Sequence, residues 1–138
     1  MSNVTPIRSR MPETEKITIN LGYVDLGRID LLVQEGFFSN RSDFIRSAIR
    51  AQLDKQSDTV AQSIARHTME LGLRDYTVAD LEAVRAAGEI LHIKVVGLAR
   101  IADDVTPELA QATIGSISVL GALQASADVK TALAGRIS

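Results

Sequence analysis

The stretch Lys16-Ile17-Thr18-Ile19-Asn20-Leu21 alternates apolar and polar residues without a break. Ile17, Ile19 and Leu21 fall on one face and Lys16, Thr18 and Asn20 on the other, the two-residue period of a half-buried strand. A strand this short needs partners for its N–H and C=O groups, and nothing else in residues 1–56 reads as a second strand. The expected partner is the same segment of another copy. Two such segments related by a two-fold axis make an antiparallel two-stranded ribbon, with its apolar face on helices from both chains and Lys16, Thr18 and Asn20 presented twice on the other. A ribbon of that shape fits the major groove of DNA.

Working outward, Gly22 breaks the alternation, and Val24, Leu26, Ile29, Leu31, Leu32 and Val33 suit a helix of about three turns that stops at Gly36. Phe37 and Phe38 form an apolar elbow. Ser39 or Asn40 can then accept the orphan amides of a second helix, and Asp43 favours its positive end. Phe44, Ile45, Ala48, Ile49 and Leu53 keep helical spacing there, with Arg46, Arg50 and Lys55 among the remaining positions.

The order strand, helix, helix resembles the ribbon-helix-helix proteins of the CopG/Arc/MetJ type. The residues that carry the resemblance are Lys16–Leu21 and the run Glu35-Gly36-Phe37-Phe38-Ser39-Asn40-Arg41-Ser42-Asp43-Phe44-Ile45-Arg46-Ser47-Ala48-Ile49-Arg50. It spans about residues 15–55 and implies an intertwined homodimer that binds double-stranded DNA. On that reading Lys16, Thr18 and Asn20 contact bases: Asn suits an adenine edge, Lys the guanine acceptors, and Thr a thymine methyl or a phosphate. Ser39, Asn40, Arg41 and Ser42, at a helix N-terminus, would hold a phosphate and fix the register of the ribbon. Residues 1–14, with Pro6 and Pro12 and no hydrophobic period, read as a flexible arm whose Arg8 and Arg10 are either solvated or reach the DNA.

Composition narrows the remaining choices. The 138 residues carry no cysteine, so disulfides, thiolate metal sites and cysteine nucleophiles are excluded. With no tryptophan and 4% aromatic residues the core must be aliphatic. Neither a membrane-length apolar run nor a signal-peptide core is present, so a cytoplasmic, nucleoid-associated protein is expected. Residues 1–56 hold eight Lys/Arg against seven Asp/Glu, and residues 57–138 hold seven against ten, which leaves the first segment as the plausible DNA-binding half.

Residues 57–138 read as a helical linker followed by a βα-repeat. The pattern of Val60, Ala61, Ile64, Ala65 and Met69 predicts a helix over 58–72 after a break at Gln56-Ser57, and Thr77 begins another that stops at Gly88. Ile93-Lys94-Val95-Val96-Gly97 and Ile117-Ser118-Val119-Leu120-Gly121 are 24 residues apart, as are Asp104-Val105 and Asp128-Val129, and Leu109-Ala110 and Leu133-Ala134. A fainter third copy is signalled by Asp80-Leu81. Each unit predicts a strand, a Gly and a helix, with Thr106-Pro107-Glu108 and Ser126 with Asp128 opening the helices. The fold class expected is therefore α+β: a ribbon-helix-helix segment at 15–56 plus a short solenoid-like stack within 57–138. Such a stack has open edges and no evident cap, so it is expected to mediate assembly into a tetramer or higher oligomer, or to bind another protein through residues 90–138.

His67 and His92 are the only histidines and read as structural or surface residues, and Asp103-Asp104 reads as helix capping, so no metal and no cofactor is expected. No phosphate loop, nucleophile elbow or carboxylate pair stands out, and no catalytic residue is assigned. The expected function is a sequence-specific transcriptional regulator, a repressor. The alternatives are a scaffold that polymerises through its repeat half, or an antitoxin whose second half binds a toxin.

Overall fold

The computed structural model describes residues 13–138, in two compact units, Thr14–Ser63 and a second built on Ile64–Ser138. The arm residues Arg8 and Arg10 lie outside the described residues.

In the first unit, α1 (Tyr23–Gln34) and α2 (Arg41–Lys55) form the two expected helices. Gly36 takes φ +87°, the left-handed turn that lets the chain leave α1 and satisfies its last carbonyls. Phe38 and Phe44 close the elbow edge-to-face, 5.0 Å between ring centroids. Only Ile29 is buried in this unit. The Lys16–Leu21 segment carries no assigned strand in the single chain, because no described strand lies beside it to supply a ladder.

Gln56 interrupts the helical path and α3 (Ser57–His67) follows at once. The expected helix to residue 72 stops at His67. Thr68 adopts φ +55°, and Glu70–Tyr76 is β1, a strand. Three parallel strands in chain order make the sheet: β1, β2 (Leu91–Ile101) and β3 (Ile114–Gln124). After each strand comes a helix, α4 (Val78–Ala86), α5 (Pro107–Thr113) and α6 (Ala127–Ala132).

Thr77, Thr106 and Ser126 cap these helices by accepting the amides of Asp80, Leu109 and Val129. The helix starts do not keep the spacing of the strands. Asp104 sits in the turn before Thr106 while Asp128 lies in the first turn of α6, so the sequence match between them is not a structural one, and the cap of α5 is Thr106 rather than the Asp103-Asp104 pair.

Leu81, Ile93, Val95, Ala99, Ile101, Leu109, Ile114, Ile117, Val129 and Leu133 form one aliphatic core between the sheet and its helices. Thr113 is the buried polar side chain among them, and its hydroxyl donates to the Leu109 carbonyl at 2.8 Å. Gly72, Gly97 and Gly121 stand side by side across the three strands with φ between +122° and +136°. A Cβ on Gly97 would strike the Gly72 carbonyl, and one on Gly121 the Gly97 carbonyl, so Gly97 and Gly121 are required for space as well as for conformation.

After α6 the chain returns to the start of β3. Ile137 bridges to Ile117 beside β3, the Ser138 amide donates to the Ile117 carbonyl at 2.9 Å, and the Arg136 guanidinium donates to the carbonyls of Gln111 and Ile114 at 2.7 and 2.8 Å.

Candidate nucleic-acid interface

Lys16, Thr18 and Asn20 are exposed, as the DNA reading requires, but so are the apolar residues between them: Ile17 is 71% accessible, Ile19 58% and Leu21 37%. Three apolar side chains in a row facing water are unstable in isolation, since each would gain about 1.5–3 kcal/mol from full burial. Ile19 and Leu21 border an open groove of about 520 Å³ that runs along α1 and α2 past Ile29, Leu32, Phe44 and Ile49. More apolar surface lies nearby, with Leu31, Phe37, Ile49 and Leu53 all exposed. The unit thus leaves much of its apolar surface uncovered in the single chain.

At the start of α2 the structure brings Ser39, Asn40, Arg41 and Ser42 together. The Asn40 side chain accepts the Asp43 amide at 2.8 Å, and the Asp43 carboxylate accepts the Ser39 amide at 2.9 Å, a reciprocal cap. Of the first-turn donors this occupies Asp43 N–H, leaving the amides of Arg41 and Ser42 facing outward from the helix end. Arg41 is not free to swing. Its Nε and one Nη donate to the two carboxylate oxygens of Asp30 on α1, both at 2.8 Å. The hydrogen bond from Arg41, supported by its charge, holds the Asp30 carboxyl below the usual carboxylate range, and the Asp30 hydrogen bond likewise raises Arg41. Sequence reasoning missed this pair, because an Asp in α1 and an Arg 11 residues later give no periodic signal. The guanidinium retains further N–H donors while its position is fixed by α1.

The other candidates have simpler places. His92 sits on β2 with Nδ1 2.8 Å from the Ser116 hydroxyl on β3, and His67 ends α3, exposed. Among the described residues no cluster of His, Asp and Glu could hold a metal ion, and no helix is long and apolar enough to cross a membrane.

Comparison with known proteins agrees with this geometry. Residues 12–130 match the Ribbon-Helix-Helix transcriptional regulator family, a match that reaches well beyond the ribbon and its helices into the sheet unit. The chain is 36% identical over 53 residues to the transcriptional regulator CdrS of Halobacterium salinarum, a stretch that is 38% of this chain and 96% of that protein. No solved structure matches. On the helices, the caps and the extent of the match, the chain belongs to the ribbon-helix-helix transcriptional regulator family.

Proposed function

We propose that the protein is a DNA-binding repressor that reads its operator through a two-stranded ribbon formed by the Lys16–Leu21 segments of two copies. The observation that carries this is the exposed apolar row Ile17, Ile19, Leu21 beside the open groove between α1 and α2. Pairing the two segments supplies the ladder each lacks, covers the apolar row with the partner's helices, and turns Lys16, Thr18 and Asn20 outward from both strands.

In this reading the three side chains make the base contacts, and the α2 N-terminus holds a phosphate through the Arg41 and Ser42 amides, the Ser39 and Ser42 hydroxyls and the guanidinium braced by Asp30. Asn40 serves mainly as the cap. The sheet unit couples dimers into a tetramer or larger assembly, so that operator sites are filled cooperatively. The protein works at the nucleoid, in the cytoplasm.

The test is a band-shift titration of Lys16→Ala, Thr18→Ala and Asn20→Ala on operator and on scrambled DNA. Each substitution is expected to cost about 1–3 kcal/mol of discrimination, the worth of a good base contact, while non-specific binding changes little for Thr18 and Asn20. Unchanged operator preference in all three overturns the ribbon mechanism. Light scattering of the full chain with and without DNA reports the assembly: large particles without DNA affinity would instead favour the scaffold.

A further inference from the structure

β1 is the outer strand of the sheet, and among the described residues nothing pairs with its free edge. At the opposite side the Ile137 bridge already covers the start of β3. An uncovered strand of seven residues presents a row of N–H and C=O groups ready for another strand. Its side chains add to the opening: Leu71 is 69% accessible and Leu73 41%. On the sheet face away from the helices they continue an apolar band, Leu71 beside Val96 and Leu120, and Leu73 beside Leu98 and Ala122. The row Asp75, Arg100 and Gln124 closes that band on one side, with Arg100 3.6 Å from Asp75 and 3.3 Å from Gln124.

The geometry points to an antiparallel pairing of β1 with β1 of a second copy, centred on Gly72. This rests on the assembly role given above to the sheet unit and names its surface. Three features of β1 support the register. With Gly72 opposite its own symmetry mate, Glu70 faces Arg74 of the second copy and Arg74 faces Glu70, so two opposite-charge pairs form, and Leu71 faces Leu73 twice on the apolar side. Within one chain Glu70 and Arg74 already lie 2.8 Å apart, on the same side of the strand, so both are poised to exchange partners. Gly72 repeats the left-handed φ of Gly97 and Gly121, yet a Cβ there meets nothing within 4 Å, whereas theirs are blocked by the next strand. Among the described residues no strand occupies the place beside Gly72.

The occupant is a copy of this chain, not a foreign peptide, because the strand is its own charge complement under two-fold symmetry. A head-to-tail alternative, β1 beside β3 of the next copy, places Glu70 against Val119 and Arg74 against Leu123 and gains no ion pair. The symmetric pairing closes on itself and yields a six-stranded sheet with Leu71 and Leu73 at its centre.

The chain has no native cysteine, so cross-linking reads the register directly. Full-length chains carrying Leu71→Cys and Leu73→Cys are co-expressed and mildly oxidised. Opposed residues in an antiparallel pair lie about 4.5–5.5 Å apart between Cα atoms, within disulfide reach. A disulfide joining the Leu71→Cys chain to the Leu73→Cys chain is expected as the main product, with little from either variant alone. Adding Glu70→Arg to one chain should cut the product severalfold by setting two guanidinium groups against each other. Adding Arg74→Glu to the other chain should restore it, since every charge then again faces its opposite. Absence of the mixed disulfide, with circular dichroism showing both variants folded, overturns the pairing, and so does a Leu71→Cys with Leu120→Cys product, which marks head-to-tail stacking. Light scattering and operator binding on the same samples separate the cases: a tetramer without the cross-link removes this edge but keeps the assembly role, and a dimer that binds DNA without cooperativity removes both.

Discussion

Gly97→Ala and Gly121→Ala test the glycine column, and the cost has two parts. Holding a non-glycine residue at φ of +136° or +122° costs about 1–3 kcal/mol. The added methyl also collides with the carbonyl of the neighbouring glycine, which is backbone in the middle of a ladder and cannot turn aside. Forcing the strands apart to admit it costs about 1–3 kcal/mol more, the range for overpacking. The combined loss of about 2–6 kcal/mol is a large share of the roughly 5–15 kcal/mol that holds a typical domain together. Gly88→Ala isolates the first part, because Gly88 has φ +69° just past α4 and open space around it. The assay is urea unfolding of the full chain followed by tyrosine fluorescence in a Tyr23→Phe background, where Tyr76 at the end of β1 reports the sheet. Gly97→Ala and Gly121→Ala should lower the midpoint well beyond Gly88→Ala. Equal midpoints for all three would refute the collision and leave only conformational strain.

Three other outcomes are expected. In Arg41→Ala, the Asp30 carboxyl should return upward to the ordinary value of about 3.9, read by NMR titration. Since the native value is depressed, the stabilisation from this pair is present above the ordinary Asp value and is lost as pH falls through the lowered one. Thr77→Ala removes the acceptor for the Asp80 amide and should cost about 1 kcal/mol in thermal unfolding. Asp80 should still titrate low in that variant, because the Thr77 backbone amide, the larger cause of its depression, remains. Gly27→Ala, in the middle of α1 with nothing within 4 Å, should stabilise the first unit by about 0.5–1 kcal/mol, measured by the midpoint of its helical signal.

What was legible in the sequence depended on whether local chemistry or distant neighbours set each element. Gly36 and Asn40 announced the turn and cap between α1 and α2 because both are fixed by backbone geometry within a few residues. The strands β2 and β3 were visible through their 24-residue offset, which the structure keeps as Ile93 beside Ile117 and Gly97 beside Gly121. β1 was not, for two physical reasons. Its sequence Glu-Leu-Gly-Leu-Arg-Asp-Tyr has no β-branched residue, and its partner register is offset by 25, with Gly72 beside Gly97, so a search at 24 passes over it. The helix pattern that ran on to residue 72 was stopped by Thr68, whose left-handed turn no propensity foretells. For the DNA-binding candidates, the alternation of Lys16–Leu21 showed which side chains share a face, and the Arg41–Asp30 clasp became visible only once α1 and α2 were packed.

The wiring of the sheet has a consequence for how it forms. Every rung joins residues separated by one short helical excursion, so closing each new loop confines only a small piece of chain and the entropy lost at each step is modest. Growth then proceeds like a zip, with β2 against β3 as the tightly buried starting pair and β1, whose side chains contribute little to the interior, arriving last. In a chain whose β1 edge is unpaired, the same order in reverse makes β1 the first strand to open under thermal fluctuation, so amide exchange should be fastest there and slowest along β2, and pairing with a second copy should protect β1.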